Sequence, residues 1–320
     1  MRIDILDHFP RGLDDLARQS NEATFYHTAV WLQCLAHAYP SLRLRVIVAV
    51  ESGTVFGYLP FFEIRRGSAR RLWSLPFGTY GGPVTLGDPD VERKLLEALI
   101  ALKGEGGVHE VGLVDFRGRL PAQGLKRSAE TTHVLDLEPG FAELWSSRFE
   151  KSKRRQTRKA EREGLAVREA ASADDVRRYH AIYLQKSDVW RQPVRYPEAL
   201  FVDLFERGGE NVKLFLAWKD DTLLGGHLNF YFKDTIIAWN GVTAESSRGT
   251  QAGTLLYARC IKEACEKGYR SYNLGASLGS ASLIEYKEAI GGRPYSYTTL
   301  RWRSLGGRIA SVVMKYLPKR

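Results

Sequence analysis

Cysteine is scarce in this sequence of 320 residues, and apolar residues never form a long run. The three cysteines are Cys34, Cys260 and Cys265, and the last two lie five positions apart on a predicted helix, where they point in different directions. This odd, dispersed set argues against a disulfide-stabilised secreted domain and against a metal site, and it fits a reducing cytoplasm. Because no run reaches 18 apolar residues, no transmembrane helix is expected.

Several enzyme motifs are also missing. The absence of H-E-x-x-H, Walker and G-x-G-x-x-G patterns argues against zinc proteases of that type, P-loop hydrolases and dinucleotide enzymes. The first 15 residues contain acidic side chains and no apolar segment, so no signal peptide is expected and the protein is predicted to be cytoplasmic. Acidic residues are outnumbered, 37 against 47 Lys and Arg, for a net charge of +10. This balance favours polyanionic partners such as RNA, CoA or the inner face of the plasma membrane, or it is a basicity without a specific partner.

The most informative stretch is residues 236–294. It reads as a strand end (236–241), a Gly- and Ser-rich loop (245–253), a helix (254–267), a second strand (269–275) and a short helical segment that ends at 291–292. A loop that leads from a strand into a helix exposes backbone N–H groups and the positive end of the helix dipole. This order predicts a cradle for an anion.

Two groups of residues in this stretch resemble a known superfamily. Residues 248–253 (RGTQAG) resemble a degraded form of the pyrophosphate loop of GNAT acyltransferases. The downstream residues 273–277 (NLGAS), 285–287 (EYK) and 291–294 (GGRP) are similar to the FemAB-like branch, which includes peptidoglycan-bridge aminoacyltransferases and CoA-dependent acyltransferases of envelope polysaccharide systems. The resemblance implies that the donor is held by Arg248, Gly249, Thr250, Gln251, Ala252 and Gly253.

An internal repeat supports a duplicated architecture. Residues 48–57 and 216–225 align without a gap, with Ala, Thr and Gly at shared positions, and both copies continue as strand, loop, helix and strand. FemAB-like proteins are similar, since they contain two GNAT-like domains in tandem. The predicted fold is therefore α/β (α+β), with two such domains, each a mixed, mostly antiparallel sheet flanked by helices.

The two predicted domains are expected to bind different substrates of the transfer reaction. Residues 1–140 form the acceptor side, and residues 141–304 form the acyl-donor side. The tail, residues 305–320, has an apolar face that is expected to pack back on the first domain or, alternatively, to lie on a membrane.

A basic helix is predicted over residues 141–163. Five cations, Lys151, Arg154, Arg155, Arg158 and Arg162, fall on one face of it. The face is either a solvated linker or a wall for a phosphorylated substrate, tRNA or lipid-linked precursor; a similar segment opens the second domain of FemAB-like proteins. The expected substrate-binding residues are Arg154, Arg155, Arg158, Trp190, Tyr80, Asn240 and Tyr286, although Trp190 is also a candidate packing anchor.

Acyl transfer to an amine requires a held donor, loss of a proton and stabilisation of the carbonyl oxygen. The edge between the strands that end at Gly241 and Gly275 is expected to hold the pantetheine or acyl chain by β-addition. Lys287 occupies the lysine position of the family and is predicted to stabilise the oxyanion or a donor phosphate, unless it is a surface lysine. Glu285, His227 and Asp188 are candidate bases, and direct loss of the proton to water is the alternative.

Three interpretations of function remain open. The first is an N-acyltransferase that moves an acyl group from acyl-CoA to an amino group of an envelope saccharide or lipid-linked precursor. The second is an aminoacyl-tRNA-dependent transferase that builds a peptidoglycan cross-bridge. The third is a non-catalytic basic binding module that retains the fold. No metal cofactor is expected.

Overall fold

The computed structural model describes residues 1–189 and 196–305. Trp190 and residues 306–320 of the tail lie outside this part, so the roles expected for them stay predictions. Among the described residues, no helix is both long and apolar enough to cross a bilayer.

Runs of strands are interspersed with helices along the chain. The strands are β1 (Arg2–Leu6), β2 (Leu42–Glu51), β3 (Thr54–Arg66), β4 (Ala69–Ser74), β5 (Val84–Thr85), β6 (Val108–Asp115), β7 (Lys126–Asp136), β8 (Leu165–Glu169), β9 (Val212–Lys219), β10 (Thr222–Phe232), β11 (Thr235–Thr243), β12 (Ser271–Ala276) and β13 (Arg293–Arg303). The helices are α1 (Leu13–Gln19), α2 (Ala29–Ala38), α3 (Pro89–Ala101), α4 (Phe141–Glu143), α5 (Lys151–Arg162), α6 (Ala173–Val189), α7 (Glu198–Gly208), α8 (Ala252–Glu266) and α9 (Ala281–Ala289).

The chain forms two compact units. One consists of Met1–Glu130 with the described part of Ser296–Arg320, and the other is Thr131–Tyr295. Both limits fall earlier in the chain than the predicted 1–140 and 141–304. The reason for the first difference is β7, whose residues 132–136 pair with β12 inside the second unit.

The first unit is built on a mixed sheet in the order β1-β2-β3-β4-β6-β13. The pairing of β4 with β6 is parallel, and the other pairings along this path are antiparallel. Helix α3 packs on one face through apolar residues at helical spacing. It is capped by Asp88, whose carboxylate accepts hydrogen bonds from the N–H groups of Asp90 and Val91. This cap and the following Pro89 explain why the helix starts there.

The second unit is built on the order β7-β12-β11-β10-β9-β8, in which the β11–β12 pair is parallel. One face of the sheet is covered by α8, whose Leu256, Cys260 and Ile261 are fully buried in the core. The opposite face carries α6 and α7, as the contact of Phe201 in α7 with Trp239 in β11 shows. Both sheets are mixed and mostly antiparallel, as the sequence predicted.

The internal repeat corresponds to two hairpins with the same irregularity. In β2–β3, Ala49 pairs with Gly57 and the next pair is Val50 with Val55, so the strand bulges between them. In β9–β10, Ala217 pairs with Gly225 and the next pair is Trp218 with Leu223. The bulges fall at equivalent positions of the aligned segments, and β-bulges are built-in features of a strand rather than defects. The duplication therefore extends to backbone detail.

The predicted continuous helix over residues 141–163 is wrong. Helix α4 passes into a π-helical turn at Leu144–Arg148, and Phe149 then adopts an extended conformation before α5 begins. The physical cause is burial: the Phe149 ring packs against Trp145 and Phe141, and the N–H of Glu150 donates to the carbonyl of Ala289. These contacts outweigh the helix propensity of the segment.

Candidate active site

An opening separates β11 from β12 in the second unit. The strands pair at residues 235–237 and 271–273, and both continue beyond these positions. At the divergence Gly275 has a φ of +76°, and a Cβ at this position would lie 3.2 Å from the carbonyl oxygen of Ala238. A bulge at Trp239 in the β10–β11 ladder bends the strand at the same level. The β11–β12 opening, as it is called below, thus presents strand backbone to an extended ligand.

Helix α8 begins beside the end of β11. A Cβ on Gly253, in the first turn of α8, would lie 3.7 Å from Thr243 Cγ2, an ordinary van der Waals contact that places the helix terminus against the end of β11. Gln251, the residue before the helix, has a φ of +66° in the left-handed region, a conformation that disfavours residues with a Cβ.

The first turn of α8 satisfies most of its own donors. The N–H of Ala252 donates to Thr250 Oγ1 at 3.3 Å, and those of Thr254 and Leu255 donate to the Gln251 carbonyl at 3.1 Å. Within the described chain, the N–H of Gly253 has no such acceptor. The start of α8 therefore offers an anion fewer backbone N–H groups than the sequence of residues 248–253 led us to expect. One N–H in the first turn, that of Gly253, is free.

Arg248 stands exposed at this loop. Its side chain is 88% exposed, and its Nη1 lies 3.7 Å from Glu245 Oε1. The other oxygen of Glu245 accepts a hydrogen bond from Lys186 at 3.1 Å. An exposed ion pair of this kind contributes little to stability, so the guanidinium can turn toward a phosphate at low cost.

Lys287 is not a surface lysine. It is 2% exposed, and its Nζ donates to the carbonyl oxygens of Gly275 at 2.6 Å and of Ala276 at 3.2 Å. In the described part of the chain no carboxylate pairs with it, and burial lowers its pKa to about 8. A buried cation held by backbone carbonyls at the β11–β12 opening keeps one N–H for a ligand oxygen, and such perturbed groups concentrate at functional sites.

The end of β12 is held by a second buried side chain. Asn273 Oδ1 accepts hydrogen bonds from Thr132 Oγ1 at 2.9 Å and from the N–H of Gly275 at 3.0 Å. Asn273 therefore fixes the turn that carries the carbonyls bound by Lys287. This explains the asparagine of the 273–277 motif as a positioning residue.

Ser277 is the first residue after β12, and its hydroxyl is buried without a hydrogen-bond partner. Residues 275–279 also show the G-x-S-x-G spacing of hydrolase nucleophiles. Because no histidine in the described chain hydrogen-bonds this hydroxyl, a hydrolase triad is not formed. The unpaired hydroxyl is instead a candidate donor to a ligand beside Lys287.

Tyr286 connects three helices. Its hydroxyl donates to Thr254 Oγ1 in α8 at 3.3 Å, and the Thr254 hydroxyl donates to Gln156 in α5 at 3.3 Å. Lys153 Nζ lies 4.3 Å from the centroid of the Tyr286 ring, a cation–π distance. Burial raises the pKa of Tyr286 to about 12 and lowers the pKa of Lys153. The sequence prediction missed Lys153, although it forms the inward-facing seam of α5 together with Thr157 and Ala160.

The predicted cationic face lies on the exposed side of α5. Arg155 is exposed, Arg158 stacks over the ring of Trp145 at 5.9 Å, and Arg154 donates to the carbonyl of Ser146 at 3.0 Å. None of the three pairs with a carboxylate in the described chain, so their positive charge is uncompensated locally. A polyanion is their natural ligand.

The candidate bases differ in accessibility. Glu285 and Asp188 are exposed. His227 is 5% exposed; its ring lies edge-on to Tyr257 at 4.1 Å, and a Cβ on Gly241 would approach its Nε2 to 2.7 Å. Burial lowers the pKa of His227 to about 4. An enclosed neutral imidazole fits a packing role better than that of a general base.

Two of the remaining predicted substrate contacts are packed within their own units. Tyr80 is 6% exposed and lies among the rings of Phe116 and Tyr297, at 4.4 and 5.6 Å between centroids. Asn240 accepts the Tyr179 hydroxyl on its Oδ1 at 2.5 Å. Their contacts favour structural roles, and Tyr286 is the predicted substrate-binding residue that lies closest along the chain to Lys287.

Metal chemistry has no site among the described residues, where no group of three His, Cys, Asp or Glu side chains could hold an ion. The residues that could hold an anionic co-substrate are the Gly253 N–H, Arg248 and Lys153.

The comparison with protein families is specific for the second unit. Residues 147–288 match the model of an acetyltransferase (GNAT) domain. No curated protein matches the sequence significantly.

Solved structures extend the likeness to the rest of the chain. A crystal structure of FemX is similar with a TM-score of 0.69 at 11% identity, covering 93% of this chain and 97% of that chain. A tandem GNAT protein from the clavulanic acid biosynthesis pathway is similar with a TM-score of 0.59 at 14% identity, covering 94% of this chain and 98% of that chain. The structure of L-PGS from Bacillus licheniformis is similar with a TM-score of 0.56 at 13% identity, covering 97% of this chain and 96% of that chain. At such identities the likeness shows the fold.

The fold class predicted from the sequence is confirmed by these solved structures. The predicted resemblance to GNAT acyltransferases is confirmed for residues 147–288, which match a GNAT acetyltransferase domain, and the chain as a whole has the tandem GNAT fold.

Proposed function

We propose that this protein is an N-acyltransferase that moves an acyl group from acyl-CoA to an amino group of a cell-envelope saccharide or lipid-linked precursor. The observation that carries the proposal is the β11–β12 opening, which has the buried cation of Lys287 at its edge and the start of α8 beside it. These are the parts that amide formation from a thioester requires: a slot for an extended donor and a positive charge for the carbonyl oxygen.

The donor fits these residues in the following way. The backbone of β11 beyond Ile237 would pair with the amide groups of the pantetheine arm. The Gly253 N–H and the exposed guanidinium of Arg248 would bind the pyrophosphate. Since Thr250 and Gln251 already satisfy the neighbouring donors, the pyrophosphate depends more on side-chain charge here than on backbone N–H groups.

Lys287 acts as a cation in this proposal. With a pKa of about 8 it is mostly protonated at neutral pH, and the N–H not used by Gly275 and Ala276 stabilises the oxyanion. The amine nitrogen attacks the thioester carbonyl and forms the C–N bond, the C–S bond breaks, and the proton that the nitrogen loses passes through water to the thiolate as CoA leaves. Ser277, with its unpaired buried hydroxyl, is a second donor toward the same oxygen.

The acceptor is proposed to be anionic. The uncompensated arginines of α5, Arg154, Arg155 and Arg158, would attract a phosphorylated or lipid-linked saccharide. The protein is proposed to act in the cytoplasm, at or near the inner face of the plasma membrane, where such intermediates are present.

A second candidate is transfer from aminoacyl-tRNA. One observation favours it: most donors in the first turn of α8 are satisfied internally, which weakens the case for a pyrophosphate, whereas the exposed cations of α5 suit an RNA backbone. Lys287 would serve the ester carbonyl of the aminoacyl group in the same way.

Calorimetry on the full chain tests the choice of donor. The ligands are acetyl-CoA, a long-chain acyl-CoA, and charged and uncharged tRNA. Micromolar binding of a CoA thioester without tRNA binding supports the first proposal. Binding of charged tRNA alone, weakened by salt, supports the second. Absence of binding to all of them would favour a non-catalytic role of the site.

A matched pair of variants locates the bound donor. Gly253→Pro removes the free N–H, and proline is tolerated in the first turn of a helix. Gly253→Ala retains the N–H, and its Cβ makes an ordinary contact with Thr243. Acyl-CoA affinity should fall in the proline variant and persist in the alanine variant. Equal affinities would remove the pyrophosphate from this position.

A further inference from the structure

One buried carboxylate of the first unit is surrounded by three arginines. Glu110 in β6 is 4% exposed and stands directly opposite Arg71 in β4 and Arg303 in β13. The Nε atoms of Arg71 and Arg303 lie 3.1 and 3.3 Å from Glu110 Oε2. The Nε of Arg301 lies 3.4 Å from Oε1. The four side chains therefore form one cluster across three neighbouring strands.

The cluster is held in place by Trp73. The indole N–H donates to Glu110 Oε1 at 3.1 Å, and the Arg301 guanidinium lies 5.0 Å from the ring centroid. Trp73 and Arg301 both stand opposite Gly112, where a Cβ would come within 2.9 Å of the indole. The glycine lets the indole lie flat beneath the arginine, and the site is built in advance of any ligand.

The charges of the cluster do not balance. Three guanidinium groups face one carboxylate, which leaves two positive charges in a half-buried place. Burial lowers the pKa of Arg301, and the neighbouring charges of Arg303 and Arg71 add to the lowering, against the opposite effect of Glu110 and Glu130. The Nε atoms of all three arginines are buried and lack a well-aligned hydrogen-bond acceptor. A single carboxylate cannot saturate three guanidinium forks.

A cavity of about 790 Å³ opens beside the cluster. Its lining includes Arg301, Arg303 and Lys126 as cations, Glu130 as an acid, and Ser128 and Trp302. With Arg71 and Glu110 included, four positive and two negative charges face this region. The volume lies within the range of about 300 to 1,000 Å³ that is usual for small-molecule sites.

We propose that this cavity binds a ligand with a phosphate group, which is held by Arg301 and Arg303 above Trp73. Planar guanidinium groups match phosphate oxygens with paired hydrogen bonds, and a dianionic phosphomonoester neutralises the excess charge. The ligand is a soluble phosphate ester or a phosphorylated lipid headgroup. The cavity shares no residue with the β11–β12 opening, so the inference does not depend on the proposed reaction.

The test measures binding of pyrophosphate, and of phosphatidylcholine vesicles with and without phosphatidic acid, to the full chain. Arg303→Gln should weaken binding about tenfold, the loss of one charge-assisted contact. Glu110→Gln should strengthen it, since it removes the competing carboxylate. Binding of pyrophosphate without vesicle binding identifies a soluble ligand, and binding of phosphatidic acid vesicles alone identifies a headgroup.

Arg65→Gln is the matched control. Arg65 belongs to a similar cluster, in which Arg65 and Arg70 surround the buried Glu63, but it does not line the cavity. The affinity of the Arg65→Gln variant for pyrophosphate and for the vesicles should equal that of the wild type. If Arg303→Gln does not fold, Lys126→Gln at the cavity wall replaces it, with a smaller loss expected.

Three results would overturn the proposal. They are equal losses in the cavity variant and in Arg65→Gln, no binding of either probe, and pyrophosphate binding that disappears in Gly253→Pro while Arg303→Gln retains it. The last result would place the anion at the start of α8.

Discussion

The Nζ of Lys287 lies 2.6 Å from the carbonyl oxygen of Gly275, at the residue where β12 departs from β11. A lysine from α9 thereby reaches the wall of the opening, and no carboxylate in the described chain neutralises it. Such a group costs folding free energy, because burial disfavours the charged form. It is therefore the first residue to test for a role in turnover.

Lys287→Met should reduce turnover by about 100-fold or more, since a positioned group that stabilises the reacting oxygen contributes at least this factor. The assay is release of free thiol from acyl-CoA in the presence of an amine, and circular dichroism checks the fold. Lys262→Met is the control, because Lys262 is a half-exposed lysine on α8 paired with Glu266. Full activity of the Lys287 variant would exclude the proposed role.

His227 should make the protein sensitive to acid. Its pKa is lowered to about 4 in the fold from an ordinary value near 6.5, so between these values the unfolded chain binds a proton that the native state does not. Stability is then lost as pH falls from 6.5 to 4, by an amount on the order of 3 kcal/mol.

Urea unfolding at pH 7, 5.5 and 4 measures this effect. The comparison is with His227→Gln, which should be less stable than the wild type at pH 7 but should lose less stability on acidification. Parallel pH profiles of the two proteins would mean that the imidazole becomes protonated inside the fold.

The arginines of α5 should control binding of the anionic partner. Reversal of Arg154, Arg155 and Arg158 to Glu is expected to weaken acceptor or tRNA binding, and the wild-type affinity should fall with added salt more steeply than that of the variant. Fluorescence anisotropy at 50 to 300 mM salt gives both slopes, in the range where phosphate contacts show most clearly.

The matched control reverses three exposed arginines of the first unit, Arg2, Arg18 and Arg93, and changes the net charge equally. Affinity that drops to the same extent in both variants would indicate a general charge effect rather than a specific face.

Substitutions of Gln251 should measure the free-energy cost of its left-handed conformation at the start of α8. Gln251→Gly is expected to have a free energy of unfolding about 1 kcal/mol higher than Gln251→Ala, because both variants lose the side-chain hydrogen bond and only glycine adopts the left-handed conformation without a Cβ clash. Gln251→Ala retains the clash and loses the hydrogen bond from Nε2 to the carbonyl of Gly249, so it should be less stable than the wild type. Thermal denaturation would contradict this account if the alanine variant were the more stable of the two.

The stretch from β11 to α9 could be predicted from sequence because its signals are local. Apolar residues recur at helical spacing in α8, and glycines stand at Gly268 and Gly291, where φ is positive. The meander β9–β10–β11 also carries local signals, since its strands are apolar and separated by short polar turns.

Other elements lack such signals. The strand β7 begins with exposed polar residues, 126–131, and shows no alternation. The strand β13 begins with an exposed Arg-Pro pair, and β8 is half polar. Their strand character comes from pairing with residues distant in the chain, and a single sequence does not specify that pairing. The same holds for Phe149, whose extended backbone depends on its ring contacts.

Only those residues of the candidate site that lie in local sequence motifs could be predicted. Motif position identified Lys287, and Tyr286 and Ser277 appear in the same motifs. Lys153 was missed because its importance depends on the contact of α5 with Tyr286, which no local pattern reveals. Tyr80 and His227 were singled out by residue type, and the structure packs Tyr80 among several aromatic rings and His227 against the ring of Tyr257.

Tyr286 and Lys287 are consecutive residues of a nine-residue helix, yet they bind different neighbours. Tyr286 reaches the first turn of α8, and Lys287 reaches the end of β12. Any widening of the opening must therefore displace α9 or break one of these two bonds. Ligand entry should thus be visible as a coordinated change in amide hydrogen exchange at α9, the first turn of α8 and residues 275–277, a signature of motion that a purely local contact would not produce.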